Sequence, residues 1–297
     1  MALALAEKLD GEIISVDSMQ VYRGLDLGTA KPSAAERACV PHHLIDVADL
    51  NEPFDAAKFV ALANQAVAEI QSCGRVPIFC GGTGLYFKAY LEGLGEAPPS
   101  DEKLRAELEA TPLAELLREL EPHDPVTFAR IDRHNPRRVV RALEVIRLTG
   151  KPFSEQRARW GEAPDEPARS PGGSRGRSPH QVICLARAAS DLHARINTRV
   201  DEMFARGLVE ETRSLLTRGL EQNRTALQAI GYRQVVEYLG GQRSLRETTE
   251  LVKSKTRQFA KRQMTWFRKQ ARAQWIELKP QDSAEAIAAL VQACCAD

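Results

Sequence analysis

Asp17 stands where a run of β-branched residues ends. Glu12–Val16 reads as a strand, and Asp17 and Ser18 follow at its carboxyl end. In an open α/β sheet that edge is where ligands bind. A carboxylate there can accept a proton or hold a metal-bound water. The same position suits an Asx-turn opening the next loop, and position alone leaves both readings open. The stretch "CGGTGLYFKAY" reads as a strand, a glycine turn and a helix start, where free N–H groups favour anions and Thr83 would offer a hydroxyl. Glycines needed merely to turn give the same pattern. In "GLDLGTAKP", Lys31 either reaches a phosphate or is an ordinary loop lysine.

The arginines are more specific. In "NPRRVVRALEVIRLTG" Pro136 suits a first helical turn. Arg137 and Arg141 then share one face with Arg138 beside them, while Val139, Leu143 and Ile146 pack on another. Guanidinium groups in a row bind phosphates or stack on bases. "LHARINTRVDEMFARGLVEE" repeats the spacing with Arg195 and Arg199. Ion pairs with Asp201, Glu202 or Glu210 would account for Arg195, less well for Arg199. "QAIGYRQ" sets Tyr232 and Arg233 after a glycine, a pair able to stack on a base and touch a phosphate.

These groups need elements to hold them. Ala2, Leu5, Ala6 and Leu9 lie on one helical face, and Asp10-Gly11 supplies a left-handed stop before the first strand. An extended "HHLIDV" precedes a helix with Asp55 near its start and Gly74 just past its end, and "RVPIFC" is the next strand. Such alternation predicts a parallel sheet covered on both faces. From Pro98 to Gly150 helical periodicity takes over, and 161–179 is rich in Pro, Gly, Ser and Arg. "QVICLARA" is one more strand, and the remainder reads as helix to the end, broken at Gly207, Gly219, Gly231 and Gly240-Gly241. The expected layout is an α/β core over 1–97 and 180–297 with C-terminal helices. A helical insertion over 98–179 interrupts it, with a flexible linker at 161–179.

With 43% hydrophobic and 27% charged residues, the 297-residue chain has an ordinary globular composition. No stretch reads as a membrane span or signal peptide. The six cysteines lack metal spacing, which predicts reduced thiols in a cytoplasm. The net charge of +1 hides segregation. Lys253 to Arg272 holds Lys253, Lys255, Arg257, Lys261, Arg262, Arg268, Lys269 and Arg272 and no acid, and Arg130, Arg133, Arg137, Arg138 and Arg141 form a second cluster. Concentrated basic faces on a balanced protein predict a polyanionic partner.

The blocks "EIISVDSMQVYRGLDLGTAKP", "PHHLIDV", "GGTGLYFKAYLEGL", "NPRRVVRALEV", "INTRVDEMFARGLVEE", "QAIGYRQ" and "TRQFAKRQMTWFRKQ" resemble the bacterial tRNA dimethylallyltransferases, or tRNA isopentenyltransferases, in that family's order. The resemblance implies a P-loop-kinase-like parallel core with a helical insertion. It also implies transfer of a dimethylallyl group from its diphosphate to N6 of the adenosine 3′-adjacent to the anticodon. By the resemblance Asp17 is the general base, Thr83 lines the reaction channel and Arg199 steadies the diphosphate. Asp17, Ser18, Met19, Gln20 and Thr83 border the adenosine, which must leave its stack. Arg105, then Arg137, Arg138, Val139, Val140 and Arg141, then Gln228, Ala229, Ile230, Gly231, Tyr232, Arg233 and Gln234 match tRNA contacts. The implied partners are the tRNA anticodon stem-loop and dimethylallyl diphosphate, the implied cofactor is Mg2+, and a monomer is expected.

In that family the first helix continues from a G-P-T-A-S-G-K-[ST] loop that grips the diphosphate, whereas this chain begins just after it. No residue here is assigned to the metal. The expectation is a start placed at an internal methionine of a longer protein rather than a real truncation, with a catalytically dead tRNA-binding remnant as a rival reading. The undecayed downstream blocks favour the former. An isopentenyltransferase of free adenine nucleotide, or a small-molecule P-loop kinase, would not need the insertion and basic tail.

Overall fold

The computed structural model describes residues 1–94, 98–156 and 181–296, so the linker expected at 161–179 lies outside the described residues. The chain divides into two units, Met1–Leu91 with Ser178–Asp297, and Glu92–Arg177.

In the first unit α1 (Ala2–Leu9) leads into β1 (Gly11–Val16), every residue of which is buried. β1 pairs in parallel with β2 (His42–His43) and β3 (Val76–Gly81), in the order β2-β1-β3. Strands covered on both faces carry apolar runs rather than alternation, as Ile13, Ile14 and Val16 do. Within the expected Asp10-Gly11 stop it is Asp10 that takes the left-handed conformation, at φ 48°. Gly11 serves another need: a Cβ there would lie 2.7 Å from the Val76 carbonyl oxygen. The extended "HHLIDV" shortens to two residues because Leu44 and Asp46 turn through positive φ. Glu12, the acid inside β1, is held by His43 Nε2 at 2.6 Å and Arg75 Nη1 at 2.7 Å. Next, α2 (Ala34–Cys39) opens with a Ser33–Glu36 capping box, and α3 (Ala56–Ser72) is capped by Asp55, which accepts from Lys58 N–H at 2.9 Å. α3 stacks Phe59 on Tyr86 of α4 (Gly84–Glu92), ring centroids 4.4 Å apart.

A second parallel pair joins β4 (Ile183–Arg187) to β5 (Gln274–Leu278), with Leu185 opposite Ile276. The expectation of helix to the end is therefore corrected at "QWIEL". Trp275 and Ile276 suit a strand, but no glycine or proline separates them from the basic run, so the boundary carried no signal. Between these strands lie α9 (Ala189–Ala205), α10 (Leu208–Thr217), α11 (Tyr232–Leu239) and α12 (Leu245–Gln270). After β5, α13 (Ala284–Ala296) brings Ile287 and Val291 into one cluster with Leu5 of α1 and Leu278.

The second unit is helical: α5 (Glu102–Ala110), α6 (Leu113–His123), α7 (Pro125–Arg130) and α8 (Pro136–Thr149). Leu108, Leu116, Leu120, Val139 and Leu143 form its core. Glu144 is fully buried among them. Burial opposes its charge, but hydrogen bonds from Ser100 Oγ (2.5 Å) and Arg141 Nη1 (2.6 Å) prevail and hold its carboxyl below the usual range.

Candidate active site

β1 delivers Asp17 to the point where the backbone leaves the sheet. Its Oδ1 accepts the N–H groups of Met19 at 2.8 Å and Gln20 at 3.2 Å, closing an Asx-turn. The carboxylate thus accommodates both readings left open by the sequence. Oδ1 makes the turn, while Oδ2 receives no hydrogen bond from a described residue. Thr83 arrives from the neighbouring strand end, since Val16 pairs with Gly81 and the Val16 carbonyl accepts from both Gly82 and Thr83 N–H. Its Oγ1 accepts Ser18 N–H at 3.1 Å, which brings Asp17, Ser18 and Thr83 together.

Arg199 belongs to α9. The residue as a whole is exposed, but its guanidinium is crowded by protein. Burial pushes its pKa down, and the negative charge of Asp17 acts against that shift. Arg199 also lines a cleft of about 410 Å³ with Met203 of α9, Arg206 just past that helix, and Leu27 and Ala30 of the loop after β1. Arg195, by contrast, pairs with Asp191 at 3.0 Å, not with Asp201, Glu202 or Glu210.

The glycines of "GGTG" answer to packing. A Cβ at Gly81 would stand 2.2 Å from the Val16 carbonyl oxygen, one at Gly82 would stand 2.1 Å from Gln263 Nε2, and one at Gly84 would stand 2.3 Å from the Trp266 ring. They let β1 and α12 approach the turn, and Gln263 Nε2 donates to the Gly82 carbonyl at 3.0 Å. Lys31 is the loop lysine: its buried Nζ donates to the Tyr22 carbonyl, Asp26 and Asp46. Gln20 works as a staple, accepting from Ser15 Oγ and donating to the Thr29 carbonyl. Met19 packs partly buried against the core.

Several residues matched to RNA contacts face inward. The side chains of Val139 and Val140 lie in the core of the second unit because α8 turns its apolar stripe that way. Ala229, Gly231, Tyr232 and Gln234 are buried. Tyr232 is closed off by its hydroxyl bonds to Glu211 and Gly28, and Gln234 Oε1 accepts Gly231 N–H at 2.8 Å. The side chains of Val139, Val140, Ala229, Tyr232 and Gln234 are thus spent inside the protein. Ile230 is half-buried, Gln228 and Arg233 are exposed, and Arg233 pairs with Glu237. Arg137 and Arg138 are exposed on α8, whereas Arg141 is bound to Glu144 and the Pro98 carbonyl, with Arg105 3.9 Å from the same carboxylate. On α12, Lys261, Arg262 and Lys269 border a groove of about 570 Å³ along Trp266. Glu211 and Gln263 were missed by the sequence reading. Glu211 reads like its exposed neighbour Glu210, and Gln263 is hidden in a basic run.

The model of the IPP transferase family matches residues 20–270. A tRNA dimethylallyltransferase from Geobacillus kaustophilus is 45% identical over 94% of this chain and 86% of its own length. Another, tRNA dimethylallyltransferase 1 of Trichlorobacter lovleyi, is 45% identical over 96% and 90%. Among solved structures, the full-length tRNA isopentenylpyrophosphate transferase of Bacillus halodurans is similar at a TM-score of 0.69 and 38% identity, covering 99% of this chain and 90% of that one. A eukaryotic dimethylallyltransferase acting on tRNA is similar at 0.71 and 26%, covering 93% and 69%.

Proposed function

We propose a reaction path from the premise that this chain belongs to the IPP transferase family and is a tRNA dimethylallyltransferase. The acceptor in this reading is the exocyclic N6 amine of the adenosine 3′-adjacent to the anticodon, and the donor is dimethylallyl diphosphate. Nitrogen attacks the allylic carbon, the carbon–oxygen bond breaks, and diphosphate leaves with the electron pair. The amine lone pair is delocalised into the purine, so a base must take the N6 proton as the carbon–nitrogen bond forms. Asp17 Oδ2 takes it. Arg199 supplies fixed positive charge to the departing diphosphate. Thr83 keeps its own hydroxyl proton for a substrate oxygen, because its Oγ1 is the acceptor toward Ser18. Ser18, Met19 and Gln20 border the extruded adenosine.

The RNA is held by the outward cations of α12, by Arg137 and Arg138, and by Arg105, Gln228 and Arg233, mainly through phosphates. Magnesium would accompany the diphosphate. Among the described residues no group of three or more His, Cys, Asp or Glu side chains could hold a metal ion, and no step runs through one. No helix among them is long and apolar enough to cross a membrane. A monomer with free thiols, working in the cytoplasm, completes the reading.

Asp17 carries it: one carboxylate oxygen is locked in a turn, the other receives no hydrogen bond from a described residue, Ser18 beside it is tied to Thr83, and its charge acts on Arg199. Asp17→Asn keeps an oxygen for the turn and removes the base. Transfer of labelled dimethylallyl to an anticodon stem-loop should fall about 10²–10⁴-fold, with RNA affinity unchanged within about twofold. Surviving turnover would remove Asp17 from the role. A wild-type protein that binds the RNA but never transfers would be a tRNA-binding remnant.

A further inference from the structure

Glu211 of α10 and Tyr232 of α11 meet where the loop over residues 26–31 crosses them. The Tyr232 hydroxyl donates to Glu211 Oε1 at 2.5 Å and accepts Gly28 N–H at 3.1 Å. The Glu211 carboxylate also accepts the N–H groups of Asp26 at 3.2 Å and Leu27 at 3.0 Å. Three successive loop amides are thus tied to two side chains distant in sequence. The fit is steric as well, since a Cβ on Gly28 would stand 2.4 Å from the Tyr232 ring. Burial raises the pKa of both groups, and the hydrogen bonds from Tyr232 and Leu27 oppose that shift at Glu211.

The other side of the loop is tied to the reacting centre. Gln20 Nε2 donates to the Thr29 carbonyl at 3.1 Å, while Gln20 N–H donates to Asp17 Oδ1. Asp26, Leu27 and Ala30 form part of the wall of the cleft that Arg199 also lines. A loop fastened at both edges transmits its position to both groups. Misplacement of reacting groups by about 1 Å costs on the order of 10²-fold in rate.

We propose that Glu211 and Tyr232 are positioning residues for the transfer, fixing the 26–31 loop and through it the Asp17 turn and the cleft at Arg199. This rests on the reading of Asp17 and Arg199 as the reacting centre. Tyr232 then acts from inside the protein, by what it holds.

Tyr232→Phe removes one oxygen and keeps the ring against Gly28, while Glu211→Gln keeps one acceptor oxygen. For each variant and the pair, three quantities are measured: hydrogen exchange over 20–32, thermal midpoint, and steady-state kinetics with dimethylallyl diphosphate and an anticodon stem-loop. The amides of 26–28 should exchange at least about tenfold faster. At equal folded fraction kcat should fall about 5–50-fold, with either KM moving less than about threefold. The double variant should lose little more than the worse single one, since both act through one loop. Faster exchange with unchanged kcat would overturn the proposal and leave only a structural fastening. Unchanged exchange would overturn it too, as would a rise in the RNA KM alone, which marks a surface contact. A wild-type protein that transfers nothing is a separate failure, visible before any variant is made, and removes the reacting centre and this proposal together.

Discussion

On α8 two of the arginines, Arg141 and Arg147, are bound within their own unit. Arg141 holds Glu144, and Arg147 bridges Glu119 at 2.8 Å and Glu107 at 2.7 Å. On α12 the charge is used differently along its length. Lys253 pairs with Asp201 and Glu250, and Arg257 donates to Asn197, but from Lys261 onward the cations have no described carboxylate within ion-pair distance. Arg262 lies over Phe259 and Arg268 over Trp275. Both helices read as basic in the sequence, yet one spends much of its charge holding its own unit together and the other offers it outward. A guanidinium already bound to a buried carboxylate contributes little net field to a phosphate, whereas an unpaired cation contributes its full counterion release.

Removing Arg141 is the strongest test of that contrast. Arg141→Ala leaves Glu144 buried with fewer donors, and should cost about 1.5–3 kcal/mol of stability, read as a lower thermal or urea midpoint. RNA affinity of the folded protein should hardly change. Intact stability with weakened RNA binding would break the comparison and return Arg141 to the surface.

Acid sharpens the same point. Glu144 has a lowered folded pKa, so its contribution is present above the ordinary carboxylate pKa and is lost as pH falls through the folded value. Acid unfolding of the wild type should therefore include the breaking of the Glu144 hydrogen bonds. The Arg141→Ala variant should unfold at a higher pH than the wild type, and coincident acid midpoints would show that the pair does not stabilise this unit.

For α12 the expectation is reversed. Lys261→Ala combined with Arg262→Ala should leave the thermal midpoint in place and weaken anticodon stem-loop binding about tenfold at moderate salt. The slope of log affinity against log salt should flatten by about 0.7–0.9 for each phosphate that the protein no longer neutralises. An unchanged slope would mean that these cations are solvated and idle.

How far the sequence could reveal this division follows from the range of the interactions. Local signals were legible: the Asp55 cap, Pro136 at the start of α8 and the strand that ends at Asp17 all rest on neighbours within a few residues. So was the likeness that pointed to Asp17, Thr83 and Arg199. The roles of Arg141, Tyr232 and Lys31 were not legible, because each depends on a partner set by packing: Glu144 one helical turn on but turned inward, Glu211 on another helix, and Asp46 across a loop. Residue type gave their chemistry but not what that chemistry was spent on. β5 escaped notice for a related reason, since its partner β4 lies some ninety residues earlier.

Arg138 offers the finest test. It sits between Arg137 and the buried Val139, is exposed, and makes no ion pair or side-chain hydrogen bond to a described residue. If α8 contributes to RNA binding at all, this side chain is better placed to do so than Arg141, whose guanidinium is already engaged. Arg138→Ala should leave stability within about 0.5 kcal/mol and weaken stem-loop binding about two- to threefold at low salt, an effect that fades as salt rises. A larger effect, persisting at high salt, would mean a desolvated contact to a base edge or phosphate, and would move α8 from a self-supporting helix toward the outward-facing behaviour of α12. Unchanged binding at every salt would leave α8 with its charge spent within its own unit.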